Sequence, residues 1–292
     1  MWITNIQHFS IDDGPGIRST IFTAGCNMRC LWCHNPENLS TRIERTEIDG
    51  KGNQIKLFNS FDMSVSDIIS NVLKDYRFYD KSGGGITVSG GEPVCQIDEL
   101  ERLLIQSEKY NLHTAIETAL NYDYDNLKRL FPVLDLIIAY CKAISPDIHL
   151  KCTGVTNEKI IYNIKKLSSE NKKMWIRIPV VPDVNINFEE IEKISEFLKS
   201  VEPDKIELIP YHKMGIKKYE KWTISYTKDL RIPMTAYITI VNAIFAVLIA
   251  ATFWFSNGGG DSEFLLNLLY YIIITPIITV TLNKIMFASE NQ

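Results

Sequence analysis

Three cysteines, Cys26, Cys30 and Cys33, stand in a CxxxCxxC spacing near the N-terminus. Three thiolates can hold three irons of a [4Fe–4S] cube and leave the fourth iron open to a substrate or cofactor. A closed electron-transfer cube takes four cysteines. Structural zinc sites are closed too, and their cysteines tend to come in separated pairs. The spacing therefore points to an open, reactive cluster. Cys95, Cys141 and Cys152 are scattered along the chain and read as small buried hydrophobes. One cluster is the economical count.

The residues around the trio sharpen this reading. Asp13-Gly14-Pro15-Gly16-Ile17-Arg18 runs upstream, and Ser19–Gly25 leads into Cys26. His34-Asn35-Pro36-Glu37 follows the last cysteine, and Gly85-Ile86-Thr87-Val88-Ser89-Gly90-Gly91-Glu92-Pro93 comes later. Over residues 1–222 the chain resembles the radical S-adenosylmethionine (SAM) superfamily, and within it the glycyl-radical-enzyme activating enzymes, of which pyruvate formate-lyase activase is a member. Many members carry a cysteine-rich insert after the first motif, and residues 39–61 here contain no cysteine.

The resemblance implies a partial (β/α)6 barrel and two cofactors, one [4Fe–4S] cluster and SAM. The implied activity is reductive cleavage of SAM, with a glycyl radical generated on a partner enzyme. An electron donor such as flavodoxin or ferredoxin is implied as well. By position in the family motifs, Trp32, His34, Gly90, Gly91, Glu92, Glu117, Lys142, Arg177 and His212 are the expected cofactor contacts. For Arg177 a structural salt bridge competes with that role. Arg18 and Arg29 are cations expected to favour thiol ionisation. Two positions depart from the family pattern: Tyr140 replaces an aspartate two residues before Lys142, and Leu120 stands where a glycine usually follows Glu117-Thr118. Two alternatives stay open, a radical SAM enzyme acting on a small molecule and a non-catalytic fusion.

The elements that must position these residues alternate along the chain. Short β-branched runs at 17–24, 85–89, 113–117, 134–139, 174–181 and 205–209 read as strands. Residues 65–76, 98–109, 158–167 and 188–198 carry the 3.6-residue apolar period of helices, with Thr156-Asn157 capping the third. That rhythm predicts βα units and a parallel sheet, with chemistry at the strand C-terminal ends. A formal net charge of −4 over 292 residues gives no support to nucleic-acid binding. No secretory signal opens the chain, so free thiols in a cytoplasmic, oxygen-sensitive catalytic domain are expected.

Beyond residue 222 the character changes. Residues 233–255 and 264–282 are charge-free apolar runs, long enough to cross a bilayer as a two-helix transmembrane hairpin. Lys213, Lys217, Lys218, Lys221, Lys228 and Arg231 precede them, Lys284 follows, and the loop between has no basic residue. By the positive-inside rule both ends face the cytoplasm, tethering the domain to the membrane. This tail, 223–292, resembles one hairpin of an ABC exporter permease, without any nucleotide-binding motif.

Overall fold

The structure is a computed structural model that describes residues 1–181, 184, 185, 187–212, 215–222 and 224. These fall within a unit spanning Met1–Lys228. The apolar runs at 233–255 and 264–282 lie outside the described residues. Among the described residues no helix is long and apolar enough to cross a membrane.

Ten strands and eight α-helices are present in the described chain. In order they are β1 (Trp2–Ser10), β2 (Arg18–Thr23), β3 (Glu44–Ile48), β4 (Gln54–Phe58), β5 (Phe61–Asp62), α1 (Val65–Val72), α2 (Tyr76–Ser82) and β6 (Gly85–Gly90). Then come α3 (Ile97–Glu108), β7 (His113–Thr118), α4 (Tyr124–Lys128), β8 (Leu136–Tyr140), α5 (Pro146–Thr153) and α6 (Glu158–Ser169). The last are β9 (Met174–Val180), α7 (Phe188–Val201), β10 (Lys205–Pro210) and α8 (Ile216–Trp222).

One sheet of eight strands runs in the order β10-β9-β8-β7-β6-β2-β1-β5. Its β2, β6, β7, β8, β9 and β10 are parallel neighbours, the six expected from the apolar runs. β8 shows why they were legible: Leu-Ile-Ile-Ala-Tyr is buried along nearly its whole length, as a parallel strand covered on both faces should be. β1 adds antiparallel to β2, and β5 to β1. β3 and β4 form a separate antiparallel hairpin.

The helices follow the expected pattern with two differences. Ser64 caps α1 by accepting from the Asp67 N–H at 3.1 Å, but the helix predicted over 65–76 stops at Val72 and passes through a 3-10 turn into α2. Asp75 in that turn faces inward, where it accepts from the Ser19 hydroxyl at 3.2 Å and bonds His8. A buried carboxylate needs such partners. Asn157 sits at the start of α6 without capping it. Its amide donates instead to the Ala143 and Ile144 carbonyls at 3.1 and 2.8 Å, tying α6 back to the loop after β8.

Candidate active site

The residues singled out by the motifs gather where the parallel strands end. The cysteine loop follows β2, Gly91 and Glu92 follow β6, Leu120 follows β7, Lys142 follows β8 and His212 follows β10. A parallel sheet leaves its strand C-termini and the loops after them on one edge, which is where such folds place chemistry.

The three motif cysteines are free thiols, each partly buried. Burial, with the neighbouring Glu92 charge, pushes Cys26 up to about 12. Burial, with the Cys30 charge, does the same to Cys33, and burial raises Cys30. Backbone N–H groups of Met28 and Asn35 aim at Cys26 and Cys33 and oppose that trend. Among the described residues no three His, Cys, Asp or Glu side chains converge on a single metal ion. A cube needs no such convergence, because each thiolate meets a different iron. Three soft thiols on one loop, surrounded by N–H donors and disfavoured as bare anions, fit an iron–sulfur cube.

The loop has little regular structure and is fastened from outside. Gly25 and Cys26 donate their N–H groups to the Asn38 and Leu39 carbonyls at 2.9 and 3.3 Å. Arg29 and Leu31 donate to the Thr153 and Cys152 carbonyls at the end of α5, at 2.8 and 2.9 Å. Gly91 lies so close to the loop that a Cβ there would collide with the Gly25 carbonyl oxygen. Gly90 has φ +101°, a conformation natural to glycine alone.

Glu92 is a fully engaged carboxylate. It accepts from Thr118 Oγ1 at 2.9 Å, from Ala119 N–H at 2.9 Å and from Val94 N–H at 3.3 Å. Burial pushes it up to about 7 against those donors. It thereby welds the end of β6 to the turn after β7. Leu120 completes that turn with φ +59°, which explains a glycine preference at this position. Its N–H donates to Thr118 Oγ1 at 3.0 Å, its carbonyl accepts from Asn163 at 2.9 Å, and its side chain is fully buried. Packing therefore offsets a backbone cost of about 1–2 kcal/mol.

Ala115, Leu136 and Ile138 pack with Trp175 on one sheet face. Two residues further along their strands, hence on that same face, come Glu117, Tyr140 and Arg177. Arg177 donates to Glu117 at 2.5 Å, to Glu207 at 2.7 Å and to the Asp12 carbonyl, so the ion-pair expectation for it holds. Burial alone would push Glu117 up, but Arg177 and hydroxyl bonds from Ser89 and Tyr140 hold it below the usual range. Tyr140 donates to Glu117 at 2.6 Å and carries the Lys142 ammonium 3.8 Å over its ring. The Lys142 charge acts on Cys30, Cys33 and Glu92.

His34 and His212 stack at 3.8 Å between ring centroids, and His34 Nε2 bonds the His212 carbonyl at 2.9 Å. Burial, then the His212 charge, lowers His34 to about 4, and burial lowers His212 as well. Trp32 is buried on the same loop, 8% exposed. Arg18 corrects one expectation. It opens β2, at the strand end away from the cysteines, and donates to Thr87 Oγ1 at 2.7 Å, the Pro15 carbonyl at 3.0 Å and the His113 carbonyl at 3.1 Å. It fastens the 13–17 loop, while Arg29 is the arginine whose charge reaches a cysteine.

The Radical SAM superfamily profile matches residues 20–198. The (2S)-3-sulfopropanediol dehydratase activating enzyme of Klebsiella oxytoca is 32% identical over 77% of this chain and 86% of its own. The pyruvate formate-lyase-activating enzyme of Staphylococcus epidermidis is 33% identical over 76% and 85%. The trans-4-hydroxy-L-proline dehydratase activating enzyme of Clostridioides difficile is 33% identical over 75% and 87%. Streptococcus suis SuiB, solved with its precursor peptide SuiA, shares the fold with a TM-score of 0.54 over 80% of this chain and 46% of that one, at 15% identity. The chain belongs to the radical SAM superfamily and, within it, to the activating-enzyme family of these relatives. It is a SAM-cleaving enzyme of that class, with a [4Fe–4S] cluster and SAM as cofactors.

Proposed function

We propose that Cys26, Cys30 and Cys33 hold the cluster, and that the chain installs a glycyl radical on a partner of the pyruvate formate-lyase type. The observation carrying this reading is the free thiol trio on one fastened loop at the C-terminal edge of six parallel strands. When bound, the cluster and SAM supply a one-electron cleavage that ends with removal of a hydrogen atom from a glycine α-carbon. The protein's own residues do the rest. The three thiols surrender their protons as iron binds. Gly90 and Gly91 would offer backbone carbonyls to the ammonium group of SAM, and Lys142 would lie beside the cofactor. Glu92 holds the glycine turn, Glu117 and Arg177 fix the sheet face beside it, and Trp32, His34 and His212 wall the site with their rings.

The choice of partner rests on alignment length. This chain contributes about 220 residues to each match, yet alignments with the two dehydratase activators run to 273 and 262 positions. The alignment with the pyruvate formate-lyase activator runs to 232. Extra positions in the first two have no counterpart here, in line with a chain that lacks the cysteine-rich insert. The reading also includes a partial-barrel curvature of the sheet, a flavodoxin- or ferredoxin-like electron donor, and a domain boundary near residue 222. Beyond that boundary the runs at 233–255 and 264–282 tether the cytoplasmic domain to the membrane.

Anaerobically reconstituted chain should bind close to four irons and release 5′-deoxyadenosine from SAM on reduction. With pyruvate formate-lyase it should yield a doublet spin-resonance signal. A Cys30→Ala variant that keeps its iron complement would overturn the ligand assignment. Product release without any signal on the partner would move the reading to a small-molecule substrate.

A further inference from the structure

The segment carrying the third cysteine is held by a helix that lies far away in sequence. Tyr219 of α8 donates its hydroxyl to the Cys33 carbonyl at 3.0 Å. Lys218 Nζ donates to Asn35 Oδ1 at 2.7 Å and to Glu37 Oε1 at 2.8 Å. Gly215, just before α8, packs against the backbone, where a Cβ would lie 3.0 Å from His34 Cα and 3.3 Å from the Cys33 carbonyl oxygen. Gly215 to Tyr219 therefore meet Cys33, His34, Asn35 and Glu37.

These contacts are built in rather than incidental. Tyr219 is 5% exposed, and a buried phenol needs a partner for its hydroxyl. Glu37 Oε2 is buried without a hydrogen bond, so Lys218 is the cation that makes burial of this carboxylate tolerable. The stretch around Cys26 and Cys30 is held by different residues, the Asn38–Leu39 carbonyls and the end of α5. The loop thus has two sets of fastenings, and the hydrogen bonds from Tyr219 and Lys218 fall on the stretch from Cys33 to Glu37.

We propose that α8 is a strap that positions Cys33 for iron, with Tyr219 and Lys218 as positioning residues acting through the Cys33 carbonyl, Asn35 and Glu37. The inference rests on Cys33 being a cluster ligand. Loosening the strap should free one corner of the cluster site while the other two stay in place.

The test uses the full-length chain, first metal-free and then reconstituted. Tyr219→Phe keeps the ring and removes the hydroxyl; Lys218→Met keeps the stem and removes the charge. Tyr79→Phe is the control, because Tyr79 is an equally buried phenol donating to the Val72 carbonyl at 2.8 Å, away from the loop. In metal-free protein, iodoacetamide labelling resolved by peptide mapping should speed up at Cys33 by about five- to tenfold in both α8 variants, the worth of one lost hydrogen bond. Labelling at Cys26 should stay within about twofold. In reconstituted protein, iron loss to a chelator should accelerate in the same two variants and not in Tyr79→Phe. Uniform acceleration at all three cysteines, or an equal effect of Tyr79→Phe, would mean general loosening and overturn the strap. Unchanged labelling and iron loss would overturn it as well. Full iron retention in Cys33→Ala would instead remove the ligand assignment beneath it.

Discussion

Replacing Arg177 by Met should expose how much the sheet face depends on one ion pair. The Arg177 side chain is 7% exposed and the Glu117 side chain 9%, with Glu207 and the Asp12 carbonyl as further acceptors. Removing the guanidinium leaves the Glu117 carboxylate in place with the Ser89 and Tyr140 hydroxyls. Breaking a buried pair from one side costs about 3–5 kcal/mol, mostly the penalty of the charge left behind. At about 2–4 °C per kcal/mol for a unit of this size, the melting point should fall by roughly 6–20 °C. Urea unfolding of the metal-free chain at pH 7 reads the same loss directly. Adding Glu117→Gln in the Arg177→Met background should recover most of it, because no buried charge then remains unpaired. The pH dependence has a definite sign. Glu117 is held below its ordinary 4.5, so its contribution is present above that pH and fades as the pH falls through the lower folded value. The gap between wild type and Arg177→Met should close in acid. A loss under about 1 kcal/mol at pH 7, or no recovery in the double variant, would refute the ion-pair account.

Gly91→Ala should prevent the cysteine loop from seating, since the added methyl meets the Gly25 carbonyl oxygen; iron content after reconstitution should drop well below wild type, and an undiminished content would show that the backbone can yield there. Glu92→Gln should alter pH dependence in the opposite sense to Glu117. With the folded value raised to about 7 from 4.5, ionised Glu92 costs nothing below pH 4.5 and up to about 3 kcal/mol above pH 7. Metal-free wild type should therefore lose stability relative to Glu92→Gln across that window, and parallel urea midpoints at pH 5 and 7.5 would contradict the burial argument.

The parallel strands were legible because burial on both faces writes them as apolar runs, as in Leu136–Tyr140. β1 was not, because its exposed positions outnumber its buried ones, and the β3–β4 hairpin is mostly exposed with no buried residue. α5 and α8 are short, at 8 and 7 residues, so neither develops a readable apolar period. Motif spacing singled out the cysteines, Glu92, Lys142 and His212, which the fold sets in the loops after the parallel strands. Residue type misled at Arg18, because a cation near the cysteines in sequence sits a whole strand away in space. Leu120 reads as a departure from pattern until its neighbours are seen, since a left-handed turn can be held by burial as well as by glycine. The fastenings of the loop left no trace at all. They are backbone carbonyls of Cys152 and Thr153 and side chains of α8, and a hydrogen bond to a carbonyl requires no particular residue on the accepting side.

Those fastenings also set an order of events during synthesis. Cys33 and Tyr219 are 186 positions apart, so at ribosomal speeds of about 5–20 residues per second the strap emerges roughly 10–40 s after the cysteine it holds. Until then the Cys33 corner lacks its α8 contacts, although the carbonyls that hold the Cys26 and Cys30 stretch have already emerged. On the proposed strap, a seated Cys33 corner belongs to a chain whose translation has passed α8, which makes the length of the nascent chain a clock for this site.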